Sequence, residues 1–232
     1  QPLSKEISAV GTIEFNERGR RTVAARVKGR LEKLYINSTG QMVDAGDILA
    51  EIYSPEPLVT VRSLLDAKQR GQTEPLRSAR VRLERWGIDE QQLNEMLARG
   101  VPDINLKILS PVSGHVITKS VREGQYVEEG TPLYELADLS TVWVVAQIHE
   151  DDLAFLPVKH DKRGFTSPSD RLPVTALTPA FPGEEFHGRL DFIYPHADQQ
   201  TRTVAVRFEL PNSDYKLRPG STASVPRIQS PH

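Results

Sequence analysis

From Val27 to Ile52 the chain runs as short apolar and β-branched stretches punctuated by single glycines, and the same arrangement returns about 85 residues later. The first copy reads Val27-Lys28-Gly29-Arg30-Leu31, then Gly40-Gln41-Met42-Val43, Gly46, Leu49 and Glu51-Ile52. The second reads Val112-Ser113-Gly114-His115-Val116, then Gly124-Gln125-Tyr126-Val127, Gly130, Leu133 and Glu135-Leu136. Each copy predicts four short strands, with Gly40 and Gly124 opening hairpins and Gly46 and Gly130 closing them, since tight turns need positive φ. Ten residues separate the first two glycines in one copy and nine in the other, a difference that a β-bulge absorbs. A half of this size cannot cover its own apolar face, whereas two halves packed together form a small flattened β-sandwich.

Between the copies, from Pro55 to Asn105, the apolar period changes from 2 to 3.6. A first helix is expected from about Pro57 to Arg70, with Leu58, Val61 and Leu65 on one stripe, stopping at Gly71. A second opens at Thr73 and stripes Leu76, Ala79, Leu83 and Trp86 before Gly87. A third starts at Asp89, with Gln92 completing an approximate capping box, carries Leu93, Met96 and Leu97, and ends at Gly100.

After Leu139 strict alternation returns in Val142–Ile148, Val174–Leu177, Phe186–Leu190, Val204–Leu210 and Ala223–Val225. Five such strands make a barrel or small sandwich, and the alternating residues from Ile7 to Val23 are expected to supply missing strands. The polar, basic stretch Pro157–Arg171 reads as an exposed loop.

Composition narrows function mainly by exclusion. At 232 residues the chain should bury roughly 70% of its unfolded surface. A net charge of -2 gives no field that would gather nucleic acid or an anionic membrane. With no cysteine there is neither a disulfide framework nor a thiolate metal site. No apolar run approaches the roughly 20 residues of a membrane-spanning helix, so any anchor is expected upstream of Gln1. No hydrolase, zinc-protease or phosphate-loop motif is present, which argues against an enzyme.

Five blocks, in order, resemble the membrane-fusion (periplasmic adaptor) proteins of resistance-nodulation-cell division efflux pumps, in particular their heavy-metal branch. They are Gly29–Leu34, Ile52–Glu56, Arg82–Ile88, Gly124–Leu139 running into Val142–Val144, and Thr201–Val204 with Leu217–Gly220. The resemblance implies a mainly β fold: a lipoyl-like (barrel-sandwich hybrid) domain interrupted by a short helical hairpin, plus a β-barrel built from both chain ends. The domains would be a barrel from 1–24 and 140–228, lipoyl-like halves at 25–54 and 107–139, a hairpin at 55–106 and a tail at 229–232. It also implies a periplasmic adaptor, held at the inner membrane through an anchor absent from this chain. Its partners would be an inner-membrane efflux transporter, an outer-membrane channel and further copies in a ring, with no nucleic acid and no resident cofactor beyond transient binding of the exported ion. Gly71, Gln72 and Thr73 would form the hairpin tip facing the channel.

The chain departs from the family in three respects. Its only methionines, Met42 and Met96, sit at pattern-core positions, which leaves a soft-metal relay unsupported. Helices of about 14 residues reach only roughly 21 Å. Ser221 follows the Pro219-Gly220 turn where the family usually has methionine, and the membrane-proximal domain is expected to lie largely outside this chain.

Among the histidines, His149, Glu150, His187 and His196 are the candidate metal ligands, weighed against solvated roles because no pair shows His-x-His or i, i+4 helical spacing. Solvated roles carry more weight. Arginines 77, 80, 82 and 85 read first as a solvated helix face, with Arg77 and Arg80 pairing with Glu74 and Glu84 at helical spacing. Trp86 and Trp143 read as core, and Arg202 as a turn or salt-bridge residue. The rival functions are a lipoyl or biotinyl carrier, disfavoured because the helical insert fills the position of its modified lysine hairpin, a periplasmic metal-binding chaperone, and an adaptor for a drug or ATP-driven exporter.

Overall fold

The computed structural model describes residues 8–71, 74–153 and 172–228, which divide into two compact units exchanging the chain at 19/20 and 137/138. The Pro157–Arg171 loop and the 229–232 tail lie outside the described residues.

In the unit spanning Arg20–Ala137, the repeat seen in the sequence becomes a pseudo-twofold sandwich. Its strands are β2 (Arg20–Ala24), β3 (Gly29–Leu34), β4 (Met42–Val43), β5 (Ile48–Tyr53), β6 (Asn105–Leu109), β7 (Gly114–Lys119), β8 (Tyr126–Val127) and β9 (Pro132–Ala137). One sheet runs β2-β9-β7-β4 and the other β6-β5-β3-β8, so each half lends its short strand to the other half's sheet. Reciprocal backbone bonds lock this exchange. Gly40 N–H donates to Val116 O and Gly124 N–H to Leu31 O, while Gly46 N–H donates to Ser110 O and Gly130 N–H to Ala25 O. All four glycines have φ between 81° and 93°, the left-handed region that the sequence reading assigned to them.

The symmetry extends one strand further upstream than the sequence repeat suggested, because β2 and β6 occupy equivalent edges. β2 was assigned to the barrel, yet it pairs with β9, and Ala25 is buried in the sandwich core. The reason is symmetry. β6 covers the β5 edge, and the matching β9 edge needs the same cover, which only the segment before the first half can give.

Three helices lie between β5 and β6: α1 (Pro55–Gln69), α2 (Glu74–Arg85) and α3 (Glu90–Arg99). The Asp89 side chain caps α3 by accepting from Gln92 N–H at 2.7 Å, and Gly100 ends it at φ 71°. Val61, Leu64, Leu65, Leu83, Leu93, Met96 and Leu97 merge with Leu31, Leu49, Ile52, Val116, Leu133 and Leu136 into one core. Both repeat copies therefore share a single apolar interior, as the pattern required. Met42 departs from its expected core position and is 54% exposed. In the two-residue strand β4 only Val43 points inward, and the same holds for Tyr126 and Val127 in β8.

Tyr134 is the largest side chain fully inside this core, and its hydroxyl donates to Ile36 O at 2.8 Å. Desolvation pushes its pKa up to about 12. An unfolded phenol ionises near 10, so between those values the unfolded state has lost a proton that the folded state keeps. The contribution is complete below pH 10 and drains away as pH rises from about 10 to 12. Ultraviolet titration of the six tyrosines should show one late phenol that Tyr134→Phe removes, together with part of the alkaline fall in stability.

The other unit is a closed barrel of order β1-β10-β13-β12-β11-β14. Its strands are β1 (Ala9–Phe15), β10 (Thr141–His149), β11 (Pro173–Leu177), β12 (Phe186–Asp198), β13 (Thr203–Pro211) and β14 (Thr222–Ile228). β1 closes it by pairing with β10 on one side and β14 on the other, which leaves no open edge. Ile13, Val142, Val144, Ala146, Leu190, Val206, Phe208 and Val225 alternate inward to form a separate core.

Candidate functional site

The hairpin tip starts where α1 ends. Arg70 is its C-cap, and Gly71 follows at φ 67° with open space where a Cβ would stand. Gln72 and Thr73 lie outside the described residues, and α2 resumes at Glu74. With 15 and 12 residues, α1 and α2 are roughly 22 and 18 Å long. Gly71 is exposed, and the buried residues Val61, Leu64, Leu65 and Leu83 of the two helices belong to the sandwich core.

The four metal candidates are not brought together. His149 ends β10 opposite Thr203, and Glu150 begins the four-residue helix α4 (Glu150–Leu153), donating its N–H to Arg202 O. His187 sits on β12 against Thr175, its Nδ1 3.3 Å from that hydroxyl. His196 lies nine positions further along β12, about 30 Å away at 3.3 Å per residue, with its ring edge-on to Tyr194. β13 separates His149 from His196. Among the described residues no three histidine or carboxylate groups are placed to hold one metal ion. Arg202 is a turn residue at φ 51°, its N–H bonded to Asp198 O.

A charged cluster on the barrel wall escaped the sequence reading. Asp191, only 5% exposed, accepts from Arg207 Nε at 2.9 Å and Nη2 at 2.8 Å, and from Arg18 at 3.4 Å. The Arg207 guanidinium stacks 3.8 Å from the Trp143 ring centroid, with Phe192 at 5.3 Å, and Arg18 reaches Glu209 at 3.5 Å. Trp143 is therefore buried outside the barrel core, beneath arginines, instead of within it. Leu190 points into the barrel opposite Phe208, so Asp191 after it faces outward beside Arg207, where the register shifts before Phe192. The one signal available in the sequence was an acid lodged between Leu190 and Phe192. This cluster holds the segment before the crossing at 19/20 to the barrel wall and offers no open space for a ligand.

A family model described as the CusB barrel-sandwich hybrid domain matches residues 20–137, and one described as the CusB-like beta-barrel domain matches residues 141–230. The cation efflux system protein CusB of Escherichia coli (strain K12) is 26% identical over 241 residues, covering 99% of this chain and 56% of that protein. The multidrug resistance protein MdtA of Proteus mirabilis (strain HI4320) is 25% identical over 246 residues, covering 94% of this chain and 57% of that protein. The crystal structure of ZneB from Cupriavidus metallidurans aligns at TM-score 0.59 and 22% identity, over 97% of this chain and 98% of that one, and so shares the fold. The chain spans about half the length of the curated relatives it matches.

Proposed function

Because the chain belongs to the family of CusB-like membrane fusion proteins, we propose that it is the adaptor body of a tripartite efflux system exporting heavy-metal cations. In this reading it stands in the periplasm, attached to the inner membrane in the full-length protein, and bridges an inner-membrane transporter to an outer-membrane channel. Copies line up as a ring, and the Gly71–Thr73 tip meets the channel. It performs no chemistry: the metal is cargo, and the work is assembly.

The observation that carries this reading is the insertion of the helical pair between the two halves of one sandwich. A carrier domain would place a modifiable lysine on a tight turn there. Here the connection is three helices whose apolar stripes continue into the sandwich core. Similarity to MdtA favours one second reading, an adaptor for a drug exporter.

Two measurements on the full-length protein test the proposal. Deleting its gene should lower tolerance to copper, zinc, cobalt or nickel salts several-fold, whereas hypersensitivity to drugs alone would favour the second reading. A photo-crosslinking residue at Gly71 should capture an outer-membrane channel. Unchanged tolerance with no crosslink would remove the adaptor reading.

A further inference from the structure

The outward face of α2 carries a surface that neither the sandwich nor the hairpin tip explains. Arg77, Val81 and Arg85 follow one another at i, i+4 and i+8, with Arg82 beside them, and all four are exposed. Arg80, which the sequence pattern grouped with them, is different: it turns towards α3 and pairs with Glu90 at 3.6 Å. Arg80 thus takes Glu90 in place of the expected Glu84, while Arg82 and Arg85 have no carboxylate within ion-pair reach among the described residues. Two adjoining hollows share Arg82. One, of about 450 Å³, is lined by Arg77, Ser78, Val81 and Arg85, and the other, of about 520 Å³, by Pro55, Val59, Thr60, Trp86 and Glu56, whose carboxylate is paired with Lys28 at 2.9 Å. Val59 and Val81 are 61% and 47% exposed on a helical pair whose other apolar side chains are largely buried.

Exposed arginines beside shallow hollows bordered by Val59, Val81 and Trp86 have the composition of an interface core, in which arginine and aromatic residues are enriched. We propose that this face docks an acidic amphipathic α-helix of a partner protein, its carboxylates meeting Arg77, Arg82 and Arg85 and its apolar stripe filling the hollows beside Val59, Val81 and Trp86. A second copy's hairpin does not fit. The polar side of α1 carries Glu56 and Asp66 against Arg62, Lys68 and Arg70, and α2 is itself basic, so hairpin against hairpin brings like charges together. An anionic lipid surface fits less well, because it needs a broad apolar face to insert. Leu83, on the other side of α2, is committed to the core. The inference stands on the surface of α1 and α2 and would survive loss of the export reading.

The test is fluorescence polarisation with the whole chain and a labelled synthetic helical peptide bearing glutamates at i, i+4 and i+7 beside a leucine stripe. A lysine-for-glutamate peptide and phosphatidylcholine vesicles with and without phosphatidylglycerol complete the set. The acidic peptide should bind, and its affinity should fall several-fold between roughly 50 and 200 mM salt. Arg82→Glu with Arg85→Glu should weaken it at least about tenfold. Val81→Ser should weaken it by a smaller factor that persists at high salt, and Arg80→Ala should leave it unchanged. All these changes are at exposed positions, and circular dichroism checks that each variant is folded. Equal binding of the lysine peptide, indifference to the double charge reversal, stronger reversal-sensitive binding to phosphatidylglycerol vesicles, or a self-associated form in sedimentation that the reversal dissolves would each overturn the proposal.

Discussion

Asp191→Ala is expected to destabilise the barrel by about 3–5 kcal/mol, the range for removing one partner of a buried ion pair. The Arg207 side chain is 12% exposed and Asp191's is 2%, so the guanidinium would be left pressed on Trp143 with its main counter-charge gone. Arg18 cannot substitute for the lost charge, and its own side chain is 54% exposed, so Arg18→Ala should cost less than about 1 kcal/mol. Asp191→Asn keeps the shape and one acceptor and should fall between them. The barrel can be followed alone by urea unfolding in a Trp86→Phe background, where Trp143 is the one remaining tryptophan. A loss as small for Asp191→Ala as for Arg18→Ala would mean that solvent already screens the cluster.

That residue marks where reading the sequence stops working. The repeat, the three helices and the alternating barrel strands are all local periodicities, and glycines 40, 46, 124 and 130 announce their own positive φ. Asp191 faces outward by plain alternation after Leu190; its burial depends on β12 pairing with β13 so that Arg207 lies beside it, which its own residues do not announce. β2 was misassigned for a related reason: its alternation is compatible with either unit, and only the symmetry of the finished sandwich selects the β9 edge. Met42 looked like core because it precedes Val43, yet a two-residue strand turns only one of them inward. For the candidate sites, the sequence supplied the hairpin turn at Gly71 and the arginines of α2. It could not tell that Arg80 would be neutralised by Glu90 from the next helix while Arg82 and Arg85 would not. The metal candidates show the same limit. His149 and His196 come to one end of the barrel on either side of β13, through Thr203 and Asp198, while His187 stands nine positions away along β12, so strand order and not sequence spacing decides which of them are neighbours.

Gly29→Ala should be the most damaging small change in the sandwich, and the sequence alone points to the wrong reason for it. Gly29 shares the repeat with the turn glycines 40 and 46, but it lies in β3 and its φ is not positive. An added Cβ would stand 2.2 Å from Tyr53 O and 3.0 Å from Ile52 Cγ1. The first of these is a backbone atom of the neighbouring strand and cannot swing aside, so β3 and β5 must part where they pair through Arg30 and Tyr53. Overpacking of this kind costs up to about 3 kcal/mol, and the rigid neighbour puts this site at the top of that range. Gly40→Ala is the informative contrast. It sits at φ 86° with nothing within 4 Å, so its cost is the left-handed backbone alone, about 1–2 kcal/mol. Urea unfolding followed through Trp86 should rank Gly29→Ala well above Gly40→Ala, with amide exchange accelerated first along β3 and β5. The opposite ranking would show that the two strands can separate more easily than their packing implies, and that turn strain, not close approach, is what the repeat's glycines relieve.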